Sequence, residues 1–256
     1  MNVPLDTTLP RERQQLILER LHRDGKVVAV DLAHEFRVSE DSIRRDLRDL
    51  AAQGLCRRVY GGALLAVNIP PLGERHAERT ELKRALARTA LGLVGSGQIL
   101  FIDAGSTNTV LAKMLPEHSD LTVVTNAPDV ALAVLGRPGF DVIMLGGKLD
   151  PAIGGAIGSR TVRQAQDIRA DLCFPGVCAI DPERGLWTYD EEETVFKQAI
   201  IEASGETVAI ATPDKLVASA THHTAPITGI THLVVAADTD AAVVARYRAA
   251  GVTVHM

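Results

Sequence analysis

The stretch SEDSIRRDLRDLAAQG, residues 39–54, sets Arg44, Arg45 and Arg48 among Glu40, Asp41, Asp46 and Asp49. Guanidinium groups this closely spaced suit a polyanion, because each presents a planar fork of donors that matches phosphate oxygens or the edge of a guanine. Some of the acids have a separate task. Ser39 can cap a helix by accepting from first-turn amides, and Glu40 and Asp41 suit the positive end of its dipole. Ile43, Leu47, Leu50 and Ala51 form the expected buried stripe, which leaves Ser42, Arg44, Arg45, Arg48 and Asp49 facing outward or along the edges. Gly54 ends the helix. Arg57, Arg58 and Tyr60 follow in a segment whose Gly61-Gly62 signals a hairpin.

A second set of candidates follows short apolar runs. After ILFI come Asp103, Ala104, Gly105, Ser106, Thr107 and Asn108. Gly105 lets the backbone turn, Ser106 and Thr107 bring hydroxyls, and a helix beginning there offers free amides to an anion. Thr125 and Asn126 follow LTVV, Gly146 and Gly147 follow VIML, and Thr212 to Lys215 follow VAIA. Small and polar residues at one strand end after another suit a cleft for a polyhydroxylated phosphate. GSTNTV lacks the Gly-Lys-Thr ending of a nucleotide phosphate loop, and no G-x-G-x-x-G opens a helix. ATP and NAD are disfavoured, and no cofactor is expected.

The elements that must position these residues divide the chain in two. Leu16, Ile17 and Leu21 fall at helical spacing in a helix of about residues 11–24 that ends at Gly25. DLAHEF gives a second, short helix, at whose start Ala29 stands in place of a capping side chain. Two helices, the basic third helix and a Gly-tipped hairpin with Arg57 and Arg58 at its root describe a winged helix-turn-helix, in which the third helix enters the major groove. Pro70, Pro71 and Gly73 disfavour regular structure, which places a linker at residues 64–74 between domains at 1–63 and 75–256. Beyond it, QILFID, LTVVT, DVIML, LCFPGV, TVAIAT, HLVVAA and VTVH alternate with helical stretches near residues 106–115, 127–135, 159–168, 191–203 and 239–249. The fold class is α/β, a mostly parallel sheet covered by helices, and ligands bind beyond the carboxyl ends of such strands.

Composition sets outer limits. The 256 residues carry a net charge of −5, which by itself argues against nucleic acid, but the charge is unevenly spread. Residues 1–73 hold 11 Lys and Arg against 10 Asp and Glu, and the remainder 16 against 22. A mildly positive front on an acidic body fits DNA binding by local geometry rather than by a broad basic field. The N-terminus shows no secretory pattern and no run is apolar enough to span a bilayer, so a cytoplasmic protein without a membrane partner is expected. Cys56, Cys173 and Cys178 fit neither a disulfide framework nor a metal template, and His222-His223 has no partner motif. No metal is expected.

The stretch RRDLRDLAAQGLCRRVYGGA, with the preceding LAHEFRVSEDSI, resembles the N-terminal signature of the DeoR family of bacterial transcriptional regulators. Tyr60 stands where that family usually has His. The resemblance continues in IDAGSTNT, VVTNAPDVA, MLGGKL, AIDPERGLWTYDEEETVFKQAI and VAIATPDK, which are similar to the family's sensor domain. That resemblance implies a fold like ribose-5-phosphate isomerase and an effector that is a phosphorylated sugar or related metabolite. It points to Asp103, Gly105, Ser106 and Thr107 in the phosphate or sugar loop, to Thr125, Asn126, Gly146 and Gly147 lining the cleft, and to Lys197 and Lys215 as cations over the ligand. Thr212 departs from the family's usual Asp. Lys197 has a second reading, an ion pair with Glu193 one turn earlier.

Together these features describe a regulator, a repressor of sugar or polyol genes, that leaves a double-stranded operator when a phosphorylated sugar or polyol binds. One winged module contacts too few bases to select an operator, so a homo-oligomer, a dimer or tetramer, is expected. The rival reading is an isomerase-like enzyme with an accessory DNA domain, for which Asp103, Asp181 and Glu193 could supply a base. A third is a DNA-tethered scaffold with an unused pocket. No catalytic residue is assigned.

Overall fold

The computed structural model describes residues 10–65 and 72–256. They fall into two compact units, one within residues 1–69 and the other within 70–256.

The first unit runs α1 (Pro10–Asp24), β1 (Lys26–Val28), α2 (Ala29–Phe36), α3 (Glu40–Ala52), β2 (Cys56–Val59) and β3 (Gly62–Leu65). Ile17 and Leu21 of α1, Leu32 and Phe36 of α2, and Ile43, Leu47 and Leu50 of α3 share one core with Cys56 and Ala63. Each helix contributes the apolar stripe that its spacing foretells. Val28 precedes α2 without a side-chain cap, in keeping with the Ala29 start. Strand β1 was not legible in KVV. It forms because β3 offers it a partner, giving a three-stranded antiparallel sheet ordered β1-β3-β2. Gly62 is needed at that junction, since a Cβ there would collide with the carbonyl oxygen of Val27.

The second unit begins with α4 (Leu72–Ala77) and α5 (Thr80–Leu91). Regular structure therefore occupies both ends of the expected linker: residues 64 and 65 belong to β3, and Gly73 lies within α4. A glycine this close to a helix start costs little, and Pro71 just ahead of the first residue suits helix entry.

Seven strands then form a wholly parallel sheet. They are β4 (Ile99–Ile102), β5 (Leu121–Thr125), β6 (Phe140–Met144), β9 (Ala170–Phe174), β12 (Ser204–Ile210), β14 (His232–Val234) and β15 (Thr253–His255), in spatial order β15-β14-β12-β9-β4-β5-β6. These are the seven apolar runs of the sequence. Leu100 and Ile102 face a core closed by α5, α6 (Ser106–Met114) and α7 (Pro128–Val134). Phe101 and Cys173 face the opposite side, where Ala165 of α8 (Ser159–Gln166) and Phe196 and Ile200 of α9 (Glu191–Glu202) pack. Farther along that side, α10 (Ala241–Ala249) and a small antiparallel sheet of β10 (Ala179–Asp181), β11 (Gly185–Thr188) and β13 (His222–Ala225) enclose Leu233 and Val235. Burial on both faces is why the parallel strands read as continuous apolar runs. The small sheet and the hairpin of β7 (Lys148–Asp150) and β8 (Gly155–Ile157) were not foreseen, because their strands are three or four residues long.

From β4 the chain moves outward to β5 and β6, then returns to the other side of β4 and proceeds through β9, β12, β14 and β15. The reversal puts the switch point between β4 and β9. In open parallel sheets, ligands bind beyond the carboxyl ends of the strands at such a switch point.

Candidate functional site

In the first unit, Ser39 accepts from the Ser42 amide at 3.2 Å and caps α3, while its hydroxyl lies 2.9 Å from that of Ser42. At about 100° per residue, Arg44, Arg48 and Arg45 occupy one arc of the helix, and all three are exposed. Arg44 pairs with Glu40 at 2.8 Å and lies 3.6 Å from Asp41. Arg45 and Arg48 hold no ion pair among the described residues. Asp46 is not on the solvated face: it is buried, with Oδ2 2.5 Å from Arg13 Nε and Oδ1 accepting from Gln14 at 3.2 Å. Gln14 also reaches Asp49 at 3.4 Å. The acids of this helix thus serve the cap, a surface pair and a clamp to α1. A second clamp, Arg20 to Glu35, joins α1 to α2, with one of its two contacts at 2.7 Å. Arg58 is exposed on β2, and Tyr60 is fully exposed at the hairpin turn. The Arg57 side chain lies outside the described residues.

In the second unit, Asp103 leaves β4 at the switch point. Its side chain turns inward, where Oδ1 accepts from the Ala104 amide at 2.7 Å and Oδ2 from the Gly176 amide, beyond β9, at 2.8 Å. A Cβ at Gly176 would collide with the Ala104 carbonyl, so the two loops approach this closely only with glycine there. Asn108 reaches back from α6 to donate to the carbonyls of Asp103 (3.0 Å) and Phe174 (2.8 Å). Asn126 joins a third loop, accepting from Ala104 at 3.2 Å and donating to Ala156 at 3.0 Å, and the neighbouring Thr125 hydroxyl accepts from Ala127 at 3.0 Å. Asp103, Asn108 and Asn126 are therefore staples that fix the loops.

What they fix is the start of α6. The amides of Gly105, Ser106, Thr107 and Asn108 have no partner among the described residues, nor do the hydroxyls of Ser106 and Thr107, and residues 105–107 are half-exposed. These are the free first-turn donors of a helix, joined by two hydroxyls and the positive dipole end. Gly146 is bound from both sides by Gln164 of α8, at 3.1 and 2.9 Å, and Gly147 beside it is exposed.

Lys197 is fully buried. Its ammonium contacts Glu193, one turn before it, and lies 3.2 Å from Asp103 Oδ2. Burial alone would lower its pKa, but Asp103 and Glu193 more than reverse that and hold it above the usual lysine value. Of the two readings of Lys197, the pair with Glu193 is the one seen, with Asp103 completing a buried trio that carries one net negative charge. Cys178 lies over the trio, its Sγ 3.9 Å from Glu193 Oε1, and burial and the Glu193 charge push the thiol up to about 12. Tyr189 is pushed up to about 12 as well, by burial and then by Cys178, Asp214 and Glu193. Lys215 pairs with Asp214 at 3.2 Å, and its charge is also felt at Cys178. Asp214 in turn is held below the usual carboxylate range: burial opposes this, but a hydrogen bond to Thr212 and the charges of Lys215 and Arg79 outweigh it.

Gly176, Tyr189 and Arg79 were missed by sequence reasoning, Cys178 was read only as fitting no disulfide or metal pattern, and Asp214 was named only within the strand-end run from Thr212 to Lys215. The signal for Gly176 was available, a glycine following an apolar run, whereas the others lie in loops with no pattern of their own. The carboxylates suggested for an isomerase are all engaged. Asp181 accepts from the amides of Glu183 and Arg184, both at 2.8 Å, in the β10–β11 hairpin, while Asp103 and Glu193 neutralise Lys197.

Among solved structures, a D-ribose-5-phosphate isomerase in complex with phospho-erythronic acid is similar at 18% identity over 54% of each chain, with a TM-score of 0.40. The full-length sorbitol operon regulator SorC from Klebsiella pneumoniae is similar at 12% identity over 80% of this chain and 88% of that one, with a TM-score of 0.38. The glycerol-3-phosphate regulon repressor of Escherichia coli strain K12 is 38% identical over 196 residues, 75% of this chain and 77% of that one. Its namesake in Haemophilus influenzae is 34% identical over 79% of this chain and 80% of that one. The HTH-type transcriptional repressor CsqR of Escherichia coli strain K12 is 31% identical over 82% and 81%. Residues 13–68 match the model of the DeoR-like helix-turn-helix domain, and residues 78–237 that of the DeoR C terminal sensor domain. With both domain models in their chain order and relatives above 30% identity along most of its length, the chain belongs to the DeoR family of transcriptional regulators.

Proposed function

We propose that this regulator holds a double-stranded operator through Arg44, Arg45 and Arg48 of α3, with Ser39 and Ser42 at the helix start and Arg57, Arg58 and Tyr60 in the wing. A phosphorylated sugar or polyol, bound at the switch-point crevice, lowers that affinity. One observation carries the effector reading: four amides and two hydroxyls at the start of α6 have no partner among the described residues, and a phosphate there would meet charge-assisted donors. Thr125 closes β5, and Asn126, Gly146, Gly147 and Lys215 follow strands at the same end of the sheet. In this reading Asp103, Lys197 and Glu193 form the floor, whose net negative charge suits hydroxyl donors of the sugar rather than its phosphate.

The names of two relatives, repressors of a glycerol-3-phosphate regulon, favour a small phosphorylated polyol. The relatives are named as regulators, and Asp103, Glu193 and Asp181, the carboxylates named for the enzyme reading, are each held by partners, so that reading is set aside. No helix among the described residues is long and apolar enough to cross a membrane, and a DNA-bound regulator would act in the cytoplasm. Because one module reads few bases, the working form is at least a dimer on repeated half-sites.

Titrating the protein on a duplex it has selected from a randomised pool tests the effector reading. Glycerol 3-phosphate or another sugar phosphate should release it, and glycerol or the parent sugar at equal concentration should not. Equal release by the unphosphorylated compound would reduce the α6 turn to a tight connection. Sedimentation showing monomer alone, free and on DNA, would overturn the oligomer.

A further inference from the structure

Within the five residues from Arg75 to Arg79, at the corner between α4 and α5, two arginines grip and one histidine abuts three different loops at the carboxyl end of the sheet. Arg75 donates to the carbonyls of Ala152 and Ile153 in the β7–β8 hairpin, the latter at 3.5 Å. His76 Nε2 lies 3.1 Å from Asp129 Oδ2 in the first turn of α7, though off the hydrogen-bond direction. Arg79 pairs with Asp214, in the turn that follows β12. Lys83, buried in α5, donates to the Arg75 carbonyl and pins the corner from within.

The gripped loops are the ones that carry the cleft. The β7–β8 hairpin is stapled to Asn126 through Ala156, Asp129 is three residues from Asn126, and Asp214 stands next to Lys215 and two residues after Thr212. A ligand that drew these loops together would change the spacing of all three anchor points. The corner would have to follow or lose a grip. Arg79 sits at φ 50°, a left-handed backbone that a side chain adopts only when its surroundings hold it there. Release of its guanidinium removes part of that hold. The corner is also where the sensor unit starts, since α4 begins at Leu72, with six residues between it and Leu65, the end of β3 in the DNA-binding unit.

We propose that the α4–α5 corner is the lever through which occupancy of the strand-end cleft reaches the DNA-binding unit, with Arg79 and Asp214 as its latch. This rests on the reading that an effector fills the cleft and releases DNA, which sets the sign: opening the latch mimics the effector. Arg79 and Asp214 are positioning residues, and the coupling is the difference in effector affinity between latched and unlatched arrangements.

The test needs no effector. Arg79→Asp and Asp214→Arg are compared singly and together for affinity to a duplex selected by the wild-type protein. Each single reversal should weaken binding about tenfold, within the usual range of coupling, and the double swap, which restores an opposite-charge pair, should recover most of it. Should either reversal fail to fold, Arg79→Gln and Asp214→Asn read the same contact. A merely structural contact would lower the melting temperature and leave the duplex affinity of the folded protein unchanged. Wild-type affinity in folded single variants, or no recovery in the swap, overturns the proposal. A second arm separates this from failure of the effector reading: if glycerol 3-phosphate releases wild type and the unlatched variants by the same factor, the cleft stands and the lever falls.

Discussion

Lys197 Nζ lies 3.2 Å from Asp103 Oδ2 with both side chains shut away from solvent, and this contact ties α9 to the loop that positions the start of α6. Removing the cation would leave two carboxylates facing each other in the interior. Lys197→Met should therefore cost about 3 kcal/mol or more, the usual penalty for orphaning a buried charge. For a unit of this size that is a fall of about 6 to 12 °C in melting temperature. An unchanged melting curve would show that the trio contributes nothing to the fold.

The same logic separates Asp46 from its neighbours on α3. Asp46→Ala should destabilise the DNA-binding unit by about 3 kcal/mol, because it breaks a buried ion pair with Arg13. Arg45→Ala and Arg48→Ala should leave the unfolding transition where it is and reduce binding to the selected duplex, with about 1 to 3 kcal/mol of discrimination lost where a bidentate base contact is removed. Arg44→Ala should likewise reduce duplex binding, at a stability cost of about 0.3–0.5 kcal/mol for its exposed pair with Glu40. Urea titrations beside duplex-binding isotherms distinguish the two classes.

Arg58, exposed on the wing strand, should act on affinity rather than on sequence preference. Arg58→Ala is expected to weaken selected and scrambled duplexes alike and to lower the magnitude of the salt slope by about 0.9. A change confined to one sequence would instead assign Arg58 to a base edge.

Acid stability follows from two histidines. His255 is held below its ordinary value by burial and then by His232, whose Nδ1 is 3.1 Å from its ring; burial holds His76 down too, against the pull of Asp129. Both folded rings favour the neutral form. Once pH falls below the ordinary histidine value of about 6.5, the unfolded chain binds more protons than the folded one and stability declines. Their contribution is complete above that pH and is lost as pH falls through the folded values. His255→Gln should flatten the dependence of melting temperature on pH below about 6.5, and adding His76→Gln should flatten it further. Parallel curves for wild type and both variants would remove the histidines from the account.

Changing Thr107 to Val tests the α6 turn directly, since it keeps the shape and removes one free hydroxyl. The variant should hold its operator normally and require a higher concentration of sugar phosphate for release, as loss of one hydrogen bond to a charged group, about 1.5–3 kcal/mol, demands. Titration of the bound duplex reads it, and an unchanged midpoint would place the phosphate elsewhere.

Much of this protein was legible without coordinates because its signals are local. Ser39 and the acids after it mark a helix start, Ile43, Leu47 and Leu50 mark its buried face, and seven apolar runs mark seven strands, the central ones buried on both sides. Each depends on spacing within a few residues, which the chain carries in itself. Strand β1 and the small sheet of β10, β11 and β13 escaped because so short a strand exists only if a partner lies alongside it.

The sequence by itself determined which residues could meet an anion and that helix starts would follow the strands. Only the tertiary structure decided which of them remain free to do so. Asp46, Asp103, Asn108, Asn126 and Lys197 are polar residues that look available in the chain, yet each is taken up by a partner from a distant segment. Ser106, Thr107 and the amides around them have no partner among the described residues. The reason is that a buried polar group must find a partner or pay for its lost water, and which partner stands within reach depends on how strands far apart in sequence are ordered in the sheet.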